Sequence, residues 1–236
     1  MSDLAAFFEL HSDLPREGPG EPDDVAWAVE YAGTKPGAAV LDAGCGPGGD
    51  IVALKAAIEG AQITAMDTHA PFADAAQRLL GTDDKAICGD AFAPESKFDL
   101  IWCAGAIYFK GVKEALAGWR ESLNAGGAIA FSAPCYFTEP PTAAAQSLWE
   151  GEVDIPGLSE LRNDIASAGF ALVASRQLSD AAWMTYFSAI EKRAAKLEAT
   201  TSPALLEVIR DARREELAWR SAKSETGYLA CVVKPR

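Results

Sequence analysis

Positive charge is in short supply in this 236-residue chain: 21 lysines and arginines stand against 34 aspartates and glutamates, for a formal net charge of −13. Neutralising a nucleic-acid backbone or an anionic membrane surface takes clustered Lys and Arg, so neither nucleic acid nor membrane is expected as a partner. Histidine is scarcer still, with two, and the five cysteines (45, 88, 103, 135 and 231) include no Cys-x-x-Cys pair. Such a set offers a transition metal little to bind, and no metal site is expected. Odd in number, widely spaced and set in apolar segments, the cysteines read as reduced, buried residues of a cytoplasmic protein. No window approaches the roughly 20 apolar residues that span a bilayer. The segment Met1–Glu9 lacks the positive start and apolar run of a signal peptide.

What is present is core material. A hydrophobic fraction of 49% against 23% charged residues suits one domain with a large interior. Between 38 and 135, short apolar runs alternate with helical patterns. Strands are expected at 39–42, 62–67, 85–88, 98–103 and 128–132. Ile51, Leu54 and Ile58 share one helical face, and Val112, Leu116, Trp119 and Leu123 share another. Alternation at this spacing means βαβ units and a parallel sheet, with ligands outside the carboxyl ends of its strands. Residues 1–35 form an N-terminal cap of two helices joined by a Pro/Gly-rich loop, His11 to Gly20. Residues 136–236 add a helix near 158–168, strands near 170–175 and 227–233, and a helical hairpin over about 180–221. In that hairpin Ser202 caps the second helix and Pro203 opens it.

The chemistry concentrates at Val40-Leu41-Asp42-Ala43-Gly44-Cys45-Gly46-Pro47-Gly48-Gly49-Asp50. A strand ends on an acid, runs into a glycine turn and enters a helix. Glycines serve where backbone takes positive φ or a ligand approaches closely. Gly44, Gly46 and Gly49 satisfy the dinucleotide pattern G-x-G-x-x-G, so the turn alone says only that the ligand is nucleotide-like. Asp42 adds a carboxylate where an amino group could lie. Asp67, ending the second strand, is placed for ribose hydroxyls, and Cys88-Gly89-Asp90-Ala91-Phe92 sets a third acid beside an aromatic. An adenosine with an amino-acid tail would use all three acids, whereas a dinucleotide has no evident use for Asp42.

With these motifs in order, residues 36–135 resemble the core of a class I S-adenosylmethionine-dependent methyltransferase. The matching features are Asp42, Gly44, Gly46 and Gly48 of the first motif, Asp67, the Gly-Asp-Ala-Phe segment, Phe98–Ile101, and the Leu123, Gly126, Gly127 turn before the fifth strand. The flanks, Leu14–Gly20 and Ile101–Tyr108, are similar to small-molecule methyltransferases of the methyltransferase-11/25 domain group. Where such proteins usually carry a Glu in the second segment, this chain has Ala104, which puts a shared acceptor in question. The resemblance implies an α/β, doubly wound, Rossmann-like seven-stranded sheet under a helical lid built from the N-terminal helices and from 136–168 and 180–221.

The same resemblance implies the cofactor, S-adenosyl-L-methionine, leaving as S-adenosyl-L-homocysteine, and its contacts. Gly44, Cys45 and Gly46 would line the methionine tail beside Asp42, with Gly48 completing the turn. Asp67 would hold the ribose with Thr68 beside it, and Phe72 would pack on adenine. Asp90 would accept from the adenine amino group, with Ala91 and Phe92 closing that side. Cys103 and Ala104 would lie beside the methyl donor. For the acceptor, the candidates are Arg16, Tyr108, Tyr136, Trp183 and Tyr186, with His11 and Tyr108 as possible bases. The implied function is methyl transfer to a small molecule. The alternatives are a cofactor-binding regulatory protein without turnover and a nicotinamide-dependent oxidoreductase.

Overall fold

The computed structural model describes residues 2–150, 154–198 and 202–236. Seven strands form one sheet: β1 (Ala39–Ala43), β2 (Gln62–Asp67), β3 (Lys85–Cys88), β4 (Phe98–Ala104), β5 (Leu123–Tyr136), β6 (Phe170–Gln177) and β7 (Thr226–Pro235). Their order is β3-β2-β1-β4-β5-β7-β6. The first five are parallel, and β7 runs antiparallel between β5 and β6. Order reverses between β1 and β4, so the crevice that a doubly wound sheet offers a ligand opens at their carboxyl ends.

Strict alternation along the strands sorts side chains to two faces. Val40, Ile63, Leu100, Trp102 and Ala130 pack under α2 (Pro22–Ala32), α3 (Ile51–Ala57) and Ala76 of α4 (Ala70–Gln77). Leu41, Ala43, Ile101, Cys103 and Phe131 pack under α5 (Val112–Trp119) and α7 (Leu158–Ser167). A third cluster joins α1 (Ser2–His11), α6 (Ala143–Leu148), α8 (Asp180–Leu197) and α9 (Pro203–Ala222) to Tyr228 and Ala230. Tyr228 pairs with Pro134 near the far end of β5, which sets this cluster at the carboxyl edge as a lid. The hairpin forms as its signals dictate: the hydroxyls of Ser179 and Ser202 accept the backbone N–H groups of Ala182 and Leu205.

Several expectations change. The lid is narrower than the flanks suggested, because α2 and α7 cover sheet faces; the buried helical residues of the lid cluster come from α1, α6, α8 and α9, and α2 adds Trp27 at its margin. Leu123 does not continue the α5 stripe; a 3-10 turn at Arg120–Ser122 ends that helix and Leu123 starts β5. Gly126 and Gly127 lie within β5, where the register jumps from Phe98↔Leu123 to Leu100↔Ala128. Gly126 has φ 80, and a side chain on Gly127 would run into the carbonyls of Asn124 and Phe98. The glycines therefore permit a bulge rather than a turn before the strand. Four cysteines are buried, but Cys88, on the short edge strand β3, is exposed. Helix α6, six residues long, is too short to announce itself by periodicity, and α4 buries only the small Ala73 and Ala76, which leave no apolar stripe to read. Among the described residues no helix is long and apolar enough to cross a membrane.

Candidate active site

At the crevice lies a cavity of about 440 Å³. Its floor is the glycine turn. Gly44 (φ 70) and Gly46 (φ 52) take left-handed backbone, and a Cβ on Gly44 would stand 2.5 Å from the Ala106 Cβ. The turn is fastened to β2: the Gly44 and Cys45 N–H groups donate to the Met66 carbonyl at 2.8 and 3.0 Å. Asp67 accepts the Gly46 N–H at 2.9 Å and the His69 N–H at 2.8 Å, one on each oxygen. It thereby locks the end of β2 to the turn.

Asp42 is the electrostatic oddity of the site. It is 3% exposed, lines the cavity, and its Oδ2 has no hydrogen-bond partner. Burial drives its carboxyl pKa well above the ordinary value; Asp50 and Asp67 push the same way, and Arg16 opposes them only in part. An orphaned buried carboxylate is expensive unless a cation comes to it. Five carboxylates line the cavity (Glu17, Asp42, Asp50, Asp67, Asp90) against one guanidinium, Arg16.

That guanidinium is already engaged. Arg16 donates to the Gly18 carbonyl at 2.8 Å, to the Gly20 carbonyl at 2.6 Å, and to both Asp50 oxygens at 3.1 and 3.3 Å. Asp50 also accepts the Trp102 indole N–H at 3.0 Å. Arg16 is thus a clamp that folds the loop after α1 onto the start of α3, not a free partner for an anionic acceptor.

The far wall is aromatic. Phe8 of α1 stacks on the His69 ring at 4.1 Å and meets Phe72 edge-on at 6.2 Å. Asp90 accepts the Phe92 N–H at 2.9 Å. Phe92 stacks on Trp119, whose indole donates to the Ala91 carbonyl at 2.8 Å. Phe72, Ala91 and Phe92 line the same cavity as the Asp67 and Asp90 carboxylates.

Of the residues singled out from the sequence, Asp42, Gly44, Cys45, Gly46, Asp67, Thr68, Phe72, Asp90, Ala91, Phe92, Ala104, Arg16 and Tyr108 line the cavity. Gly48 and Cys103 do not. A Cβ on Gly48 would strike Ile51, Leu79 and Ala76, so that glycine serves helix packing. Cys103 has the opposite strand parity to Trp102 and is buried with Ile107 in the α5 layer. Tyr136, Trp183 and Tyr186 also lie off the cavity. Trp183 stacks on Trp219 at 5.5 Å and on Phe187 at 5.7 Å, as lid core. Tyr186 is buried, and Tyr136 packs against the same cluster. His11 stands one residue back from the cavity, with its Nδ1 2.6 Å from Glu17 Oε2. Sequence reading missed Phe7, Phe8, Glu17 and Asp50. Glu17 sat in view, between Arg16 and Gly18 of a segment already singled out.

Residues 40–127 match the family model described as a methyltransferase domain. A malonyl-[acyl-carrier protein] O-methyltransferase of Pseudescherichia vulneris is 33% identical over 135 residues, 54% of this chain and 49% of that protein. Its Salmonella typhimurium counterpart is 34% identical over 110 residues, 44% of this chain and 41% of that protein. The chain thus spans about half the length of these curated relatives or less. A Geobacter sulfurreducens S-adenosylmethionine-dependent methyltransferase, solved with S-adenosyl-L-homocysteine, superposes with a TM-score of 0.82 at 24% identity over 98% of both chains. A Thiobacillus denitrificans methyltransferase with the same ligand does so at 0.82 and 23%, again over 98% of both.

Proposed function

We propose that this chain, whose residues 40–127 form a methyltransferase domain on the class I methyltransferase fold, transfers a methyl group from S-adenosylmethionine to a small-molecule acceptor. The observation that carries the reading is Asp42: a buried carboxylate with an unpartnered oxygen, on a glycine floor, in a cavity rich in acid. The cofactor's α-ammonium group answers it, and its sulfonium suits the field. When bound, the cofactor supplies an activated methyl group. Gly44, Cys45 and Gly46 bed the methionine tail, Asp67 accepts from the ribose, Phe72 and Phe92 flank adenine, and Asp90 uses its second oxygen for the adenine amino group. Ala104, in the same lining, would lie beside the donor methyl. The chain's work is then to align the two reactants and shed water, which can supply several kcal/mol of barrier reduction. Action in the cytoplasm, without nucleic acid or membrane as partner, belongs to the same proposal. The relatives' malonyl thioester acceptor is one small-molecule class to test.

A nicotinamide dinucleotide fits the cavity badly, because its pyrophosphate would face Asp42 with Arg16 already bound to Asp50. Thermal unfolding separates the two readings. At a hundredfold excess over its dissociation constant, S-adenosylhomocysteine is expected to raise the midpoint by about 5–10 °C, and NADPH to leave it unchanged. The reverse pattern would refute methyl transfer. Shifts without turnover on a broad acceptor panel would favour a regulatory binder. Asp67→Ala removes both the ribose acceptor and the tie to the Gly46 N–H, and should weaken S-adenosylhomocysteine binding about tenfold or more by calorimetry.

A further inference from the structure

Resting on that reading, we propose that the acceptor is an amine on an apolar body, and that Glu17 receives it and takes its proton. Three of the five cavity carboxylates have cofactor positions, and Asp50 is held by Arg16 and Trp102. Glu17 remains. Its Oε2 is fixed by His11 Nδ1 at 2.6 Å, while its Oε1 is buried without a hydrogen-bond partner. His11 is in turn buried and stacked on Phe7 at 3.9 Å, which makes it a positioning residue for Glu17.

The place of Glu17 suits an acceptor. Its stem rests over the glycine turn, with Cγ 3.4 Å from where a Gly46 Cβ would be. Its Oε2 meets His11 at the end of α1, a helix of the lid, so it stands between cofactor floor and lid. Tyr108, Phe7 and the exposed Phe109 line the same cavity. A carboxylate acceptor would meet the Glu17 oxygen with no free cation among the described lining residues. An ammonium group brings both a charge and a donor to that oxygen, and the rings can face it by cation–π attraction. Reaction needs the neutral amine. The ammonium proton passes to Glu17 Oε1, the N–H electron pair stays on nitrogen as its lone pair, and that lone pair becomes the nucleophile.

Two probes of matched shape and opposite charge test this: phenethylamine and 3-phenylpropionate, each at about 10 mM, added to the protein saturated with S-adenosylhomocysteine. Phenethylamine is expected to raise the unfolding midpoint by a further 3–5 °C or so, and 3-phenylpropionate to add nothing. Glu17→Gln should lose the amine shift and keep the S-adenosylhomocysteine shift, and His11→Gln should weaken the first alone. No shift with phenethylamine, an equal or larger one with 3-phenylpropionate, or an amine shift that survives Glu17→Gln would overturn the assignment. So would loss of the S-adenosylhomocysteine shift in a folded Glu17→Gln protein, which would move Glu17 to the cofactor. The two wild-type arms decide charge preference even where a variant fails to fold. If S-adenosylhomocysteine itself gives no shift in the wild type, the methyl-transfer reading falls first, and this inference with it.

Discussion

Asp42→Asn is expected to separate binding from stability, raising the dissociation constant for S-adenosylhomocysteine by about 10- to 100-fold while making the unliganded protein more stable. The first effect is the loss of a charge-assisted hydrogen bond to the ligand ammonium, worth about 1.5–3 kcal/mol. The second follows from burial. In the folded chain the Asp42 carboxyl holds its proton more tightly than in the unfolded chain, because burial, Asp50 and Asp67 all disfavour the anion. Above the raised folded value the anion therefore destabilises the fold. As pH falls through that value the penalty fades, and it is gone below the unfolded value near about 4. The amide has no such charge. Its unliganded midpoint at neutral pH should rise by about 3 °C or more, and the gain should shrink on acidification. Calorimetry with and without ligand, at neutral pH and near pH 4, reads both effects. A variant that binds normally would remove Asp42 from the cofactor site.

Arg16→Met should produce the largest loss of stability, about 3–5 kcal/mol or roughly 10 °C. The Arg16 and Asp50 side chains are 13% and 9% exposed, so breaking the pair leaves a carboxylate nearly out of water and close enough to Asp42 to repel it. Among the described residues, the indole N–H of Trp102 is then its one remaining side-chain donor. The change also frees the Gly18 and Gly20 carbonyls that shape the loop carrying Glu17. Asp50→Asn in the Arg16→Met background should restore more than half of the loss, since the uncompensated charge is its main source. Additive losses in the double variant would show that Arg16 acts through the loop carbonyls alone.

The half of the cavity proposed for the cofactor was legible as a cluster because its residues are local. A glycine turn between an acid and a helix, then acids at the next two strand ends, lie within fifty residues of sequence and in the order the sheet imposes. The rest of the cavity was not, because it is assembled by packing between distant segments. Phe8 reaches His69 only once α1 has docked on α8 and α9, and Glu17 faces the cavity only because Arg16 folds its loop onto Asp50. Trp183 and Tyr186 misled for a related reason. Helical spacing places aromatics on one face without telling whether that face looks into a cavity or into its neighbours. Strand parity would have excluded Cys103, since Asp42 and Trp102 share one sheet face and residue 103 must point to the other.

The placement of β7 has a consequence for synthesis. Within the sheet β6 pairs with β7 alone, so Phe170–Gln177 emerges from the ribosome almost fifty residues before its partner, and all of α8 and α9 comes between. At about 5–20 residues per second that interval lasts some seconds. The parallel strands through β5 can meanwhile assemble with their own helices, but the nascent lid still lacks Tyr228 and Ala230 of β7, against which it packs. A chain stalled before Thr226 would hold the glycine turn and its acids in place beneath a lid with no floor to rest on, exposing the Trp149, Trp183 and Trp219 faces to chaperones and proteases.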